Sequence, residues 1–257
     1  MLVGGRPDRL VAVVGTGTDV GKTWVSVRLL KVLASGGHQV WARKPAQSFA
    51  PDDDPGSTDA ALLAAATGEH PFEVCPEHRW YPVAMAPPMA AHALGQAPLL
   101  LSELLQEIVW PIDASGPLTP SDGQRSVGLV ETAGGVGSPQ ADDGDGLDLL
   151  GLLRPDSVVI VAGAGLGIIH DVRLCLWAFA TRSVDAPGIA AGRLSLTPLE
   201  GPNSQVHDDL VVVLNQFDPA DELHVANRKW LEQHEGVLVL VTPGDERLLA
   251  DWVLERR

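Results

Sequence analysis

A glycine-rich segment near the N-terminus has the residue types that hold phosphate groups. Residues 15–23 read GTGTDVGKT, so that Gly21, Lys22 and Thr23 match the end of the pattern G-x-x-x-x-G-K-[ST]. Gly15 stands one residue too early for that pattern, and Thr16 takes the first position. Glycines let backbone N–H groups approach phosphate oxygens, a lysine reaches the β- and γ-phosphates, and a Thr hydroxyl can bind Mg²⁺. The segment therefore predicts a phosphate-binding loop rather than an ordinary strand–helix turn.

Four further residues carry charge or hydrogen-bonding groups where sheets of this kind bind ligands. Lys44, Glu131 and Asn215 each close a predicted strand, and Asp59 opens a predicted helix. The carboxyl ends of parallel strands border the ligand crevice, so Lys44 and Glu131 are expected to face it. A carboxylate there can hold Mg²⁺ beside phosphates, and an Asn can offer a purine both a donor and an acceptor. The alternatives are a solvated lysine, a solvent-facing Glu131, and an Asp59 that only stabilises its helix N-terminus.

The elements that position these residues alternate between short β-branched runs and longer helical runs. The apolar runs are nearly continuous, which is typical of strands buried on both faces of a parallel sheet. We expect strands at residues 10–14, 39–43, 127–131, 158–162, 210–214 and 237–241. We expect helices at 24–33, 59–67, 99–109 (with Ser102 as N-cap), 170–181, 221–234 and 245–255, and loops at 111–125 and 183–209. The prediction is one α/β domain over residues 1–257, a doubly wound, mostly parallel sheet with helices on both faces.

Composition excludes several classes of protein. The chain of 257 residues has 33 Asp and Glu against 18 Lys and Arg, a formal net charge of −15. This charge argues against a nucleic-acid binder or an anionic-membrane binder, because both need a basic face. Cys75 and Cys175 form neither a disulfide framework nor a C-x-x-C metal site. With no secretory signal and no apolar stretch long enough to cross a bilayer, we expect a cytoplasmic protein with reduced thiols.

Several motifs follow one another along this sequence: GTGTDVGKT at 15–23, KPAQS at 44–48, Asp59, VETAGG at 130–135, GAGLGIIH at 163–170 and Asn215. Taken in order, they resemble those of the dethiobiotin synthetase family, ATP-dependent enzymes of biotin synthesis. The family pattern is G-T-x-T-x-V-G-K-T, K-P-x-x-S, an Asp opening the next helix, V-E-G-A-G-G, G-x-L-G-x-x-N-H and a strand ending in Asn. The early glycine of the first motif is a feature of this family. The resemblance extends over residues 10–245 and implies a P-loop NTPase-like fold.

The resemblance also implies a reaction. The substrates are 7,8-diaminononanoate, CO₂ and ATP, and the product is dethiobiotin. One amine takes up CO₂ as a carbamate, whose oxygen attacks the γ-phosphate to give a carbamic–phosphoric anhydride. The second amine then closes the ureido ring and releases phosphate. Such chemistry asks a protein mainly for positioning and charge stabilisation. The resemblance further implies ATP and Mg²⁺ as cofactors, and a homodimer that binds the substrate tail between subunits.

The same resemblance assigns roles to individual residues. Catalysis is assigned to Thr18, Lys22 and Lys44, because the two lysines would neutralise charge on the carbamate and the γ-phosphate. Mg²⁺ is assigned to Thr23, Asp59 and Glu131. The substrate is assigned to Ser48, Gly134, Gly135, Gly167 and His170. The nucleotide is assigned, with the last two residues at the adenine, to Gly17, Thr18, Asp19, Val20, Gly21, Lys22, Thr23, Asn215 and Pro243.

Two other functions stay open at this point. A paralogue would keep the phosphate loop and act on another amine or carboxylate. Thr132, His170 and Asp171 favour this function, because the family has Gly, Asn and His at those positions. A P-loop switch protein hydrolyses nucleotide slowly to change partners, and it often carries a second lysine early in the loop. Thr16 and Gly17 stand at that position, which disfavours the switch.

Overall fold

The computed structural model describes residues 5–111, 123–181 and 209–255. The strands in these residues form one six-stranded sheet and two short pairs. They are β1 (Arg9–Gly15), β2 (Gln39–Arg43), β3 (Gln47–Ser48), β4 (Trp80–Tyr81), β5 (Ser126–Gly135), β6 (Pro139–Ala141), β7 (Gly144–Asp145), β8 (Ser157–Gly163), β9 (Leu210–Asn215) and β10 (Leu238–Thr242). The large sheet has the order β10-β9-β8-β1-β5-β2, and all its neighbours are parallel.

Helices cover both faces of this sheet. Within the described residues they are α1 (Lys22–Ser35), α2 (Asp59–Thr67), α3 (Pro71–Val74), α4 (Pro87–Ala93), α5 (Leu101–Glu107), α6 (Gly146–Leu153), α7 (Ile168–Thr181), α8 (Glu222–His234) and α9 (Glu246–Glu255). The alternation along β1 shows the two layers. Val11 and Val13 pack in a core with α1, α2 and α9, whereas Ala12 and Val14 pack in a core with α7 and α8. The predicted α/β fold with a doubly wound parallel sheet is therefore confirmed.

The predicted strands and helices are all present, but β5 continues to Gly135, so Glu131 lies within this strand and does not close it. The other ends shift by about one or two residues, and one capping prediction is wrong. Helix α5 begins at Leu101, and its N-cap is Leu100 rather than Ser102. Carboxylates distant in sequence bind the N–H groups here, because Asp143 accepts from Leu101 N and Asp142 accepts from Leu99 N. The predicted loops at 111–125 and 183–209 fall largely on residues 112–122 and 182–208, which lie outside the described residues.

Two predictions from composition can be compared with the structure. The thiols of Cys75 and Cys175 are both free and buried. Burial raises the pKa of Cys75 to about 12 and that of Cys175 to about 11, so both stay protonated at neutral pH. No helix in residues 5–111, 123–181 or 209–255 has the length and apolar character needed to cross a bilayer.

The sheet order places the phosphate loop at the centre of the molecule. Strand β1 lies between β5 and β8, and Gly15 at its end pairs with Gly135 and Val161. Strand β2 follows β5 at the sheet edge. The carboxyl ends of β1, β2 and β5 therefore lie side by side, at the end of the sheet where ligands bind in folds of this type.

Close packing on β5 generates a stability prediction. A Cβ on Gly128 would lie 2.7 Å from Pro7 Cγ and from a ring atom of the buried Trp110. We expect Gly128→Ala to lower the free energy of unfolding by about 1–3 kcal/mol, because the indole must shift. Gly151→Ala in α6 is the matched control. Its Cβ would meet open space, and alanine favours a helix by roughly 0.5–1 kcal/mol. Urea unfolding measures both, and an unchanged midpoint for Gly128→Ala would contradict the packing.

Candidate active site

The phosphate loop connects β1 to α1 and is held in place by β9. Gly21 is the N-cap of α1 and has φ of 88°, a left-handed conformation that glycine adopts without strain. A side chain on Gly21 would collide with the amide of Asn215. That amide donates from Nδ2 to Val20 O at 3.0 Å. The first turn of α1 has no side-chain cap, so its N–H groups and helix dipole form the kind of site that binds phosphate.

Lys22 carries its ammonium group back across this loop. Its Nζ donates to Gly17 O at 2.9 Å, and the residue is buried. Burial and the neighbouring charge of Lys44 lower the pKa of Lys22, against the opposing effect of Glu131 and Asp59. A partly desolvated ammonium group at a helix N-terminus is suited to a phosphate oxygen, which supplies the missing negative charge.

Lys44 is buried between two carboxylates that come from different elements. Its Nζ lies 2.6 Å from Asp59 Oδ2 at the start of α2 and 2.8 Å from Glu131 Oε1 in β5. The same nitrogen donates to Thr132 O at 3.3 Å, so all three of its N–H bonds have acceptors. The side chains of Lys44 and Glu131 are 2% and 0% exposed. The structure therefore excludes a solvated Lys44 and a solvent-facing Glu131.

The charges of this cluster stabilise one another. Burial by itself lowers the pKa of Lys44, but Asp59 and Glu131 outweigh it and hold that pKa above its usual value. Burial likewise raises the pKa of Asp59, but the ammonium of Lys44 and the Thr23 hydroxyl hold it below its usual value. Asp59 thus does more than stabilise its helix dipole. Both groups stay charged at neutral pH.

The oxygens beside Lys44 fit a magnesium ion. Thr23 Oγ1 lies 2.6 Å from Asp59 Oδ1 and 2.8 Å from Glu131 Oε1. One hydroxyl proton can serve only one carboxylate at a time, so a cation among the three oxygens would complete their contacts. Mg²⁺ prefers oxygen ligands and is usually held by one or two carboxylates together with phosphate oxygens. Among residues 5–111, 123–181 and 209–255 there is no group of three or more His, Cys, Asp or Glu that could hold a metal ion.

A cleft of about 710 Å³ joins the loop to the charged cluster. Of the residues predicted to bind ligands, it is lined by Thr18, Asp19, Gly21, Lys22, Thr23, Lys44, Ser48, Asp59 and Gly134. Gly135 lies behind this wall, where a Cβ would be 3.1 Å from Thr16 O. Met85, Ala86 and Pro87 add an apolar wall. The cleft is thus lined by both charged and apolar side chains.

Other predicted residues lie away from this cleft. Gly167 and His170 line a second cleft of about 630 Å³ beside α7 and α8. Asn215 is buried, and its Oδ1 accepts from Thr242 Oγ1 at 3.2 Å. An amide has two donors and two acceptor positions, so Asn215 retains one of each for a ligand. Pro243 follows Thr242 and is exposed at the same end of the sheet.

Sequence reasoning missed three polar residues, one at the charged cluster and two at the cleft. Ser26 is fully buried, and its hydroxyl donates to Glu131 Oε2 at 2.7 Å. This bond fixes the carboxylate so that Oε1 faces Thr23 and Lys44. The signal was available, because Ser26 lies three residues after Thr23 and so on the same face of α1. Gln47, beside the predicted Ser48, borders the cleft. Ser138 also lines the cleft and accepts from Gly135 N at 2.8 Å.

Comparisons with known proteins agree with this geometry. A family model described as an AAA domain matches residues 9–242. The ATP-dependent dethiobiotin synthetase BioD of Haloferax mediterranei is 31% identical over 232 residues, which cover 90% of this chain and 82% of that protein. The chain belongs to the dethiobiotin synthetase family. The BioD of Caulobacter sp. (strain K31) is 36% identical over 200 residues, covering 72% of this chain and 81% of that one.

A structural comparison gives a more distant likeness. The signal recognition particle 54 kDa protein of Aeropyrum pernix K1, in complex with GDP, has a TM-score of 0.37 and 14% identity. The match covers 95% of this chain but only 46% of that protein, so the chain spans about half its length. For this dethiobiotin synthetase family member, the fold assignment rests on its own strand order and phosphate loop.

Removal of the buried ammonium group should reverse the pH dependence of the site. Because folding lowers the pKa of Asp59, its charge stabilises the fold at pH values above the pKa of Asp59 in the unfolded chain. Because folding raises the pKa of Lys44, its charge stabilises the fold at pH values below the pKa of Lys44 in the unfolded chain. We expect Lys44→Met to lower the free energy of unfolding by about 3 kcal/mol at neutral pH, because the Glu131 charge is left unpaired. This loss of unfolding free energy should be smaller at about pH 5, because the buried carboxylates that have lost the ammonium group can then bind a proton in the folded variant.

Urea unfolding at both pH values measures this effect. Lys31→Met is the matched control, since Lys31 is exposed on α1. That control should stay within about 0.5 kcal/mol of the unsubstituted protein. A Lys44→Met variant as stable as the control at neutral pH would show that the cluster does not need its ammonium group.

Proposed function

We propose that this protein closes the ureido ring of dethiobiotin from 7,8-diaminononanoate, CO₂ and ATP, as the names of its relatives suggest. The observation that carries the proposal is the cleft in which a phosphate loop meets the cluster of Lys44, Asp59 and Glu131. A phosphoryl group held by the loop lies beside two ammonium groups. A carboxylated amine entering the cleft would meet that phosphoryl group directly.

The protein's own part in the reaction is to hold two anions together. Lys22 and the N–H groups of the loop bind the β- and γ-phosphates. Lys44 and Thr18, which both line the cleft, would provide positive charge and a hydroxyl where the carbamate oxygen approaches phosphorus. That attack forms a P–O bond to the carbamate and breaks the bond to ADP. The second amine then attacks the carbamoyl carbon, loses a proton and expels phosphate. The carbamate and the γ-phosphate repel each other, and these cations offset that repulsion when the two anions are brought together.

Thr23, Asp59 and Glu131 would hold Mg²⁺, which when bound neutralises charge on the β- and γ-phosphates. Ser26 keeps Glu131 oriented for this task. Ser48 and Gly134 would lie along the diamine. The apolar residues Met85 and Pro87 suit the carbon chain of the substrate.

The second cleft suggests how the rest of the substrate is bound. Gly167 and His170 line this second cleft and not the cleft at the phosphate loop. They would therefore contact a substrate bound to a neighbouring copy more readily than one bound at the phosphate loop of their own chain. We therefore assign them to the substrate tail across a homodimer of single-domain subunits. Asn215 and Pro243 are assigned to the adenine. We also place the protein in the cytoplasm, acting on small molecules and without nucleic-acid or membrane partners.

A paralogous ligase acting on another amine or carboxylate is the second candidate. His170 and Asp171 favour it, because both are exposed at the start of α7, where the family has Asn and His. Thr132 gives it no support from geometry. Its Oγ1 is turned toward Val13 O, at 3.5 Å, and it does not border the cleft.

Phosphate release tests the proposed function. We expect release from ATP only when the diamine and bicarbonate are both present, with dethiobiotin formed in equal amount. Lys22→Ala should abolish it, because the β/γ charge loses its principal counter-charge. Lys31→Ala, an exposed change on the same helix, should retain full activity. Release without the diamine would indicate a nucleotide switch, and release with a different amine would indicate the paralogous ligase.

Glu131→Gln tests the metal assignment separately. We expect the Mg²⁺ concentration for half-maximal activity to rise about tenfold or more, since one anionic ligand is lost. The affinity for a non-hydrolysable ATP analogue should change much less. Glu103→Gln, at an exposed position of α5, is the control. An unchanged Mg²⁺ titration for Glu131→Gln would remove Glu131 from the metal site.

A further inference from the structure

Gln47 places an unused hydrogen-bond donor at the wall of the cleft. The residue is 3% exposed and lines the cleft together with Lys44 and Asp59. Its amide nitrogen Nε2 is buried, and within the described part of the chain it has no hydrogen-bond partner. A buried donor without an acceptor is unfavourable, so native proteins leave few of them. Such a group beside a ligand cleft indicates that a ligand completes it.

The orientation of this amide is fixed by a neighbouring helix. Gln47 Oε1 accepts from Ala60 N at 2.9 Å, in the first turn of α2. A backbone N–H can only donate, so the oxygen of the amide must face Ala60 and the NH₂ group must face away from it. The side chain is therefore anchored on the same helix turn that carries Asp59. The group that remains without a partner is therefore the NH₂ donor.

The chemistry of the reaction selects the acceptor. The protonated amines of a diamine are donors and cannot satisfy Nε2. The phosphates are gathered by the loop and Lys22. The carbamate is the acceptor that the reaction itself creates, and its two oxygens share one negative charge. Ser48, the next residue of β3, also lines the cleft, and its Oγ is likewise buried without a partner among the described residues. Two donors at one cleft suit a group with two acceptor oxygens.

We propose that Gln47 Nε2 donates a hydrogen bond to a carbamate oxygen of the carboxylated substrate and so orients the other oxygen toward the γ-phosphate. This inference rests on the proposed function and deepens it. It assigns Gln47 a hydrogen bond to the reacting substrate, and Gln47 forms no covalent bond in the reaction. The affinity for nucleotide alone should not depend on the Gln47 donor.

Two substitutions separate this role from structural support of α2. Gln47→Glu keeps an acceptor for Ala60 N but loses the NH₂ donor, whereas Gln47→Met loses both and adds no charge. We expect both variants to raise the KM for bicarbonate by about tenfold or more, because a bond to a charged acceptor is lost. Both should bind a non-hydrolysable ATP analogue as the unsubstituted protein does. Gln39→Glu, which adds the same charge at the exposed start of β2, should leave both measurements unchanged.

The possible outcomes are distinct. If Gln47→Glu keeps the KM for bicarbonate and only Gln47→Met changes it, the residue supports α2 and the proposal is wrong. If both variants lose affinity for the ATP analogue without diamine, the amide serves a phosphate oxygen instead, which also overturns it. Unfolding midpoints show whether each variant is folded, and Gln47→Glu should retain the midpoint of the unsubstituted protein. Failure of the unsubstituted protein to release phosphate with diamine and bicarbonate would instead disprove the proposed function.

Discussion

The candidate active site depends on one buried ammonium group. Lys44 contacts both Asp59 and Glu131, which would otherwise place two like charges against the same hydroxyl of Thr23. Without a cation between them, one carboxylate would take up a proton and would then bind a metal ion poorly. The ammonium of Lys44 therefore fixes the start of α2 against β5. The position of α2 in turn sets the cleft wall and the orientation of Gln47.

The parallel sheet supplies this cluster with its parts. Since β5 lies between β1 and β2, Glu131 stands between the phosphate loop and Lys44. Strand β9 reaches the same loop from the other side, through the bond from Asn215 to Val20. A nucleotide bound to the loop would thus have its base beside β9 and β10 and its reacting end beside β5 and β2. This separation leaves the cleft beyond the γ-phosphate for the substrate.

Local patterns in the sequence were sufficient to predict the strands, the phosphate loop and the family, because each depends on short-range spacing. They failed where the partner of a hydrogen bond or an ion pair lies far away in the sequence. Ser102 is not a cap because Asp142 and Asp143 bind the N–H groups before it. The burial of Lys44 follows from the pairing of β2 with β5 and from the return of α2, which no local window contains. Gln47 was missed for the same reason, since its anchor is Ala60. The assignment of Gly167 and His170 to the substrate stays a prediction, and the structure adds that they border the second cleft.

A crystal structure with a non-hydrolysable ATP analogue and Mg²⁺ would show whether the loop and the charged cluster bind one triphosphate together. We expect phosphate density against the backbone of residues 15–23, with the Lys22 ammonium on the terminal phosphate and the metal touching Thr23, Asp59 or Glu131. Density for the triphosphate away from this loop, with Lys22 still on Gly17 O, would contradict this expectation.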